Sequence, residues 1–141
     1  MKRLISILLI ALLFACSMCA AAETEDESLG DIQLFYVYAK NVTANLTIDS
    51  SGNATCRGLI TLRDSSYTVT ITVKLQKKSG SSWTTLATWS DSGDGYAGAS
   101  AGGTKKVSSG YSYRVSVSTV VKDSSGTVIE RPAKNSAIRT F

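Results

Sequence analysis

The side chains that could perform acid–base or metal chemistry in this sequence are few. Its 141 residues include no histidine, which excludes Ser-His-Asp and Cys-His hydrolases and histidine-ligated zinc or haem. Asp91 and Asp94 belong to a predicted loop over residues 91–95 and could in principle ligate calcium, but Gly102 stands where an EF-hand loop needs a bidentate glutamate. Nor does anything fix their separation as a glycosidase pair requires. We therefore predict a non-enzymatic protein without catalytic residues, metal site or cofactor.

Aromatic and cationic side chains are better candidates, and they point to binding. The candidate binding residues are Lys77, Lys78, Trp83 and Trp89. Alternation over residues 83–89 predicts that both tryptophans lie on one strand face, where exposed rings can stack on sugars or form hot spots for proteins. Core packing of the tryptophans and a solvated lysine turn are the alternatives. The expected partner is a protein or glycan at a cell surface, and not nucleic acid.

The first 22 residues have the pattern of a signal peptide. A basic start, Met1–Arg3, precedes an apolar run over residues 4–14 that is too short to span a bilayer, which needs about 20 residues. Small residues follow, so we predict cleavage after Ala22 and secretion into the medium. Alternatively, residues 13–16 form a lipoprotein cleavage box, in which Cys16 would be lipidated and would anchor the chain to a membrane. No later segment is apolar enough to form a transmembrane segment.

The chain that remains after cleavage at Ala22 has two regions of opposite charge. Residues 23–31 form an acidic leader, which either keeps the chain soluble or folds back onto a basic face. Residues 32–141 form the predicted domain, with 13 basic and 6 acidic side chains and a net charge of +7. Cys56 would be the one remaining cysteine. We expect it to be a small buried side chain on a strand, with pairing between chains as the alternative.

The elements that must position these residues are short strands separated by polar turns. Alternation of apolar and polar residues predicts seven strands, and turns recur about every 8 to 15 residues, as in an antiparallel β-sandwich. Residues 96–103 are too rich in glycine and alanine to assign. Residues 32–39 would form either an eighth strand or an extended arm that packs on the sandwich. The side chains predicted to point inward from the central strands are Val69, Ile71, Val73, Val115 and Val117.

The segment 110–117 resembles the penultimate strand of immunoglobulin-like and fibronectin type III domains. In those domains a tyrosine two residues before a buried position hydrogen-bonds across a corner, a spacing that Tyr113 and Val115 reproduce. More broadly, residues 36–126 resemble a group of uncharacterised small secreted proteins of Gram-positive, gut-type bacteria. The similar positions are residues 38–42, 54–56, 75–80 and 113–115, with Trp83 and Trp89. This resemblance implies an all-β, antiparallel immunoglobulin-like or fibronectin type III-like sandwich, and no particular activity.

These observations favour a secreted binding or adhesion module whose ligand the sequence does not specify. A small secreted toxin or bacteriocin-like effector that acts on neighbouring cells is the alternative. The two could be distinguished by a neighbouring gene for an immunity-type membrane protein, which would favour the toxin.

Overall fold

A computed structural model describes residues 35–141 as one unit. The predicted signal peptide, the acidic leader and Cys16 lie outside the described residues. Nine strands, β1 to β9, and one 3-10 turn at Gly95–Ala97 make up the unit. The strands are Ala39–Ile48, Asn53–Leu62, Thr68–Ser79, Ser82–Asp94, Ala99–Lys106, Ser112–Lys122, Val128–Glu130, Ala133–Asn135 and Arg139–Thr140, in chain order.

The strands form two antiparallel sheets that pack face to face as a β-sandwich. Sheet A has the order β1-β2-β5, and sheet B has the order β4-β3-β6-β7 with β8 and β9 also paired to β6. The chain crosses from sheet B to sheet A between β4 and β5, and each of these strands lies at an edge of its sheet. Within residues 35–141 no helix is long and apolar enough to cross a membrane.

The alternating residues of β3 and β6 form the centre of the core, as the sequence predicts. Val69, Ile71, Val73, Val115 and Val117 are all at most 2% exposed. Gly58 of β2 lies opposite them, and a Cβ at this glycine would lie 2.6 Å from Val73 and 2.9 Å from Val117. Absence of a side chain at Gly58 therefore lets the two sheets approach closely at their centre.

Tyr113 fixes the corner that precedes β6. Its buried ring lies in the core, and its hydroxyl donates a hydrogen bond of 2.6 Å to the Ser108 carbonyl oxygen. The bond spans the turn five residues upstream, as the spacing of Tyr113 to buried Val115 predicts. Burial also raises the pKa of the Tyr113 hydroxyl, which keeps it protonated as a donor.

Residues 35–38 form an arm that packs on the sandwich, and β1 begins only at Ala39. The Glu130 carboxylate accepts backbone hydrogen bonds from Val37, Tyr38 and Ala39 at 2.7, 3.2 and 2.9 Å. Tyr36 adds a second contact, because its hydroxyl donates to the Ala133 carbonyl oxygen at 2.8 Å. Of the two alternatives for residues 32–39, the described part is therefore the arm.

The structure differs from the sequence analysis of the strands in three respects. The predicted loop over residues 91–95 is mostly strand, because β4 continues to Asp94. The unassigned segment 96–103 contributes to β5, whose small residues suit its close packing at the edge. The count rises from seven to nine because two further short strands, β8 and β9, also pair with β6.

Candidate binding surfaces

The hairpin between β3 and β4 places the predicted binding residues on two sides of sheet B. Residues that pair directly across neighbouring strands point to the same face. Lys78 pairs with Trp83, and both point to the outer face, away from sheet A. Lys77 pairs with buried Tyr113 and therefore points to the inner side, beyond the end of the core. The hairpin thus divides its two lysines between opposite faces.

A β-bulge at Leu86 separates the two tryptophans. Leu75 pairs with Ala87 while the next residue, Gln76, pairs with Thr85, so Leu86 is an extra residue in β4. One extra residue reverses the alternation on either side of it. Trp89 pairs with buried Val73 and points inward, whereas Trp83 points outward. The prediction that both rings share one face was therefore wrong.

The outer face of sheet B carries a set of polar and aromatic side chains near the β3–β4 hairpin. We call this set the Trp83 face: Lys74, Gln76, Lys78, Trp83 and Arg114. The guanidinium carbon of Arg114 lies 4.2 Å from the centre of the Trp83 ring, a cation–π contact. Arg114 Nε also donates to Gln76 Oε1 at 2.9 Å. Partial burial lowers the pKa of Arg114. Arg114 therefore fixes the half-buried indole of Trp83, and the hydrogen bond to Gln76 fixes Arg114.

Lys77 makes a separate contact on the inner side of the hairpin. Its Nζ lies 4.2 Å from the centre of the Tyr111 ring, which is 46% exposed. The Lys77 side chain is therefore partly covered and already engaged with an aromatic ring. Lys78 remains the exposed lysine of the hairpin.

Trp89 closes the gap between the edge strands of the two sheets. The pyrrole side of its indole lies against Gly103 of β5, where a Cβ would collide with the indole nitrogen. Beside this contact lies an open trough of about 780 Å³, which we call the Trp89 trough. Its walls include Arg57 of β2, Trp89 and Asp91 of β4, and Ser100 and Thr104 of β5. Trp89 therefore serves both as packing and as part of a concave surface.

Asp91 and Asp94 do not converge on a common site. Asp91 pairs with buried Ile71 and lies on the inner side of β4, whereas Asp94 pairs with Thr68 on the outer side. Among residues 35–141 no group of three or more histidine, cysteine, aspartate or glutamate side chains could hold a metal ion.

Cys56 is a buried, free thiol on β2. It is 2% exposed, and burial raises its pKa to about 11. The prediction of a small buried side chain on a strand is confirmed. Since a thiol with this pKa is almost fully protonated near neutral pH, Cys56 is a poor nucleophile.

Arg114 and Arg57 were missed as candidate binding residues. Alternation indicates that each points outward, but it does not show that Arg114 lies over Trp83 or that Arg57 lines the trough beside β5. Those positions depend on which strands are neighbours and on the bulge in β4. The outward position next to buried Val115 was the available signal for Arg114.

No protein-family model matches this chain, and no curated protein and no solved structure is significantly similar to it.

Proposed function

We propose that this chain is a secreted, non-enzymatic module that binds an acidic protein or glycan at a cell surface through the Trp83 face. Secretion is inferred from the pattern of residues 1–22. The observation that carries the binding proposal is the fixed stack of Trp83 and Arg114, with Arg114 anchored on Gln76. Aromatic rings and arginines are the side chains most enriched in binding hot spots. Fixing them before binding lowers the entropy that association costs.

The charge around Trp83 favours an acidic partner. Lys74, Lys78 and Arg114 all point to the outer face of sheet B at this end. Asp94, the acidic residue of β4 on the same face, lies at the far end of the strand, about 35 Å away at the usual rise per residue. Positive side chains without a nearby carboxylate attract anionic ligands and speed their association.

The acidic side chains of three turns remain ionised and are engaged in hydrogen bonds within those turns. Hydrogen bonds from neighbouring residues, led by those of Asn53, Ser66 and Ser125, hold the pKa values of Asp49, Asp64 and Asp123 below their ordinary range. These carboxylates stabilise the turns that connect the strands. Glu130 is likewise occupied by the arm.

The test is retention of the purified protein on immobilised heparin, on poly-glutamate and on purified Gram-positive cell walls. We expect Trp83→Ala and Lys78→Gln to weaken retention on at least one acidic surface, the tryptophan variant by about tenfold or more, which corresponds to about 1.4 kcal/mol. Raising the salt concentration should weaken retention of the parent protein.

Lys40→Gln is the matched control, because Lys40 is an exposed lysine of β1 in the other sheet. Its retention should equal that of the parent. Thermal melting of each variant separates loss of binding from loss of folding. The proposal is wrong if folded Trp83→Ala and Lys78→Gln proteins are retained like the parent on every surface, or if the parent is retained on none.

A further inference from the structure

The Trp89 trough combines an aromatic ring with polar and charged side chains, and it is distinct from the Trp83 face. It lies where β5 of sheet A approaches β4 of sheet B, whereas the Trp83 face lies on the outside of sheet B beyond the bulge. Its volume of about 780 Å³ falls within the usual range of ligand sites, about 300 to 1,000 Å³. We propose that this trough binds an uncharged saccharide.

Two residues of the trough lining, Trp89 and Arg57, carry donors that make no hydrogen bond within residues 35–141. Within the described residues the Trp89 indole N–H has no hydrogen-bond partner, and it is not sealed from solvent. The exposed Arg57 guanidinium also makes no hydrogen bond or ion pair there. Indole and guanidinium groups only donate, so the ligand must supply acceptor oxygens.

Acceptors and hydroxyl groups complete the lining. One Asp91 carboxylate oxygen accepts from the Ser92 backbone N–H at 2.9 Å, and the other makes no hydrogen bond within residues 35–141. Ser100 is exposed on β5, and Thr104 shares a hydroxyl contact of 3.3 Å with Thr55. Sugar hydroxyls both donate and accept, so a polyhydroxylated ligand can hydrogen-bond to carboxylates and to guanidinium groups.

The balance of charge indicates that the ligand is neutral. Arg57 and Asp91, the charged residues of the trough lining, carry opposite signs and cancel. An acidic ligand would meet the Asp91 carboxylate, and a basic ligand would meet Arg57. The indole of Trp89 adds an aromatic surface of the kind that packs against the C–H groups of sugar rings. Polar groups of both signs beside an aromatic ring therefore match a neutral sugar better than an ion.

The test follows the two indole N–H signals by nuclear magnetic resonance while uncharged tetrasaccharides of glucose, mannose, galactose and N-acetylglucosamine are added separately. Trp83→Phe assigns the two signals. We expect at least one tetrasaccharide to shift the Trp89 signal in a saturable way and to leave the Trp83 signal unchanged. Asp91→Asn and Arg57→Gln should each weaken this binding by about tenfold, since each removes a charged hydrogen-bonding partner.

Asp94→Asn and Lys40→Gln are matched controls that make the same charge changes outside the trough. Both should bind the saccharide like the parent, and melting curves should confirm that all variants are folded. The saccharide site is refuted if no tetrasaccharide at about 10 mM shifts the Trp89 signal, or if the shift persists undiminished in both Asp91→Asn and Arg57→Gln. Because poly-glutamate contains no sugar, retention on it reports on the Trp83 face and not on the trough, so either proposal can fail without the other.

Discussion

At the scale of single residues, burial determines which side chains can react and which can bind. Cys56 lies among apolar side chains of the core, and the hydroxyl of Tyr113 is committed to the Ser108 carbonyl oxygen. Trp83, by contrast, keeps part of its ring at the surface and is fixed there by Arg114. The groups of this domain that are available for binding are therefore a few half-buried aromatic and charged side chains.

Ionisation of Cys56 should make the protein less stable at alkaline pH. Burial raises its pKa from 9.0 to about 11, so the unfolded thiol loses its proton at lower pH than the folded one. Below about pH 8 both forms are protonated and the thiol contributes no pH dependence. Between about pH 9 and pH 11 the free energy of unfolding should therefore decrease as pH rises.

Denaturant unfolding of the parent and of Cys56→Ala at several pH values measures this contribution. The variant lacks the thiol, so its stability should decline less steeply than that of the parent over the same range. Ionisation of the tyrosines affects both proteins and cancels in the difference. Parallel curves for the two proteins would contradict the expected role of Cys56.

At the scale of the strands, alternation predicts the inner faces well and fails where the backbone is irregular. Val69, Ile71 and Val73 could be placed because every second residue of β3 is apolar. The bulge at Leu86 leaves no comparable mark, because the segment around it reads as a continuous alternation. Only the pairing with β3 shows where the extra residue lies, and this pairing decides which face Trp83 occupies.

The end of β7 and the arm illustrate a second limit of prediction from sequence. In the sequence, Glu130 looks like an ordinary polar residue near Pro132. A carboxylate that binds backbone N–H groups elsewhere in the chain leaves no periodic pattern in the sequence. Its partners lie more than 90 positions earlier in the chain. Contacts of this kind depend on the assembled sandwich, and strand pattern alone does not predict them.

Glu130→Gln should loosen the arm without unfolding the sandwich. The substitution removes the negative charge and one acceptor oxygen from a carboxylate that binds three backbone N–H groups, and hydrogen bonds to charged groups contribute roughly 1.5 to 3 kcal/mol. We expect hydrogen exchange at Val37 and Ala39 to accelerate by about tenfold or more, while exchange in β3 and β6 changes little.

Asp94→Asn provides the control for this experiment, because Asp94 is a strand carboxylate remote in sequence from the arm and makes none of its hydrogen bonds. It should leave exchange in the arm unchanged. Equal protection of Val37 and Ala39 in the parent and in Glu130→Gln would show that Tyr36 and the apolar contacts suffice to hold the arm.

At the scale of the whole molecule, the close approach of the two sheets at Gly58 should couple distant substitutions. Gly58→Ala places a methyl group against Val73 and Val117, and such overpacking costs roughly 1 to 3 kcal/mol. Val73→Ala alone leaves a cavity and is also destabilising. In the double variant the new methyl group occupies space that Val73 vacates. We therefore expect its loss of stability to be smaller than the sum of the single losses by about 1 kcal/mol.

The double-mutant cycle is measured by denaturant unfolding, with Val69→Ala as the control partner for Gly58→Ala. Val69 is buried on the same strand but is not among the nearest neighbours of a Cβ at Gly58. Its effect should add to that of Gly58→Ala within about 0.5 kcal/mol. Additive behaviour in the Val73 cycle would mean that the sheets adjust their separation freely.

The hydrogen bonds between the arm and Glu130 also impose an order of steps on folding. Tyr36 and Ala133 are 97 positions apart, so the start of the domain cannot complete its contacts until almost the whole chain is available. The β3–β4 hairpin can pair early because its strands are adjacent in sequence, whereas sandwiches rich in distant pairings fold in milliseconds to seconds. During synthesis the arm would remain without its hydrogen bonds while the central strands pair. Its attachment to Glu130 and Ala133 would be a late step in folding of the domain.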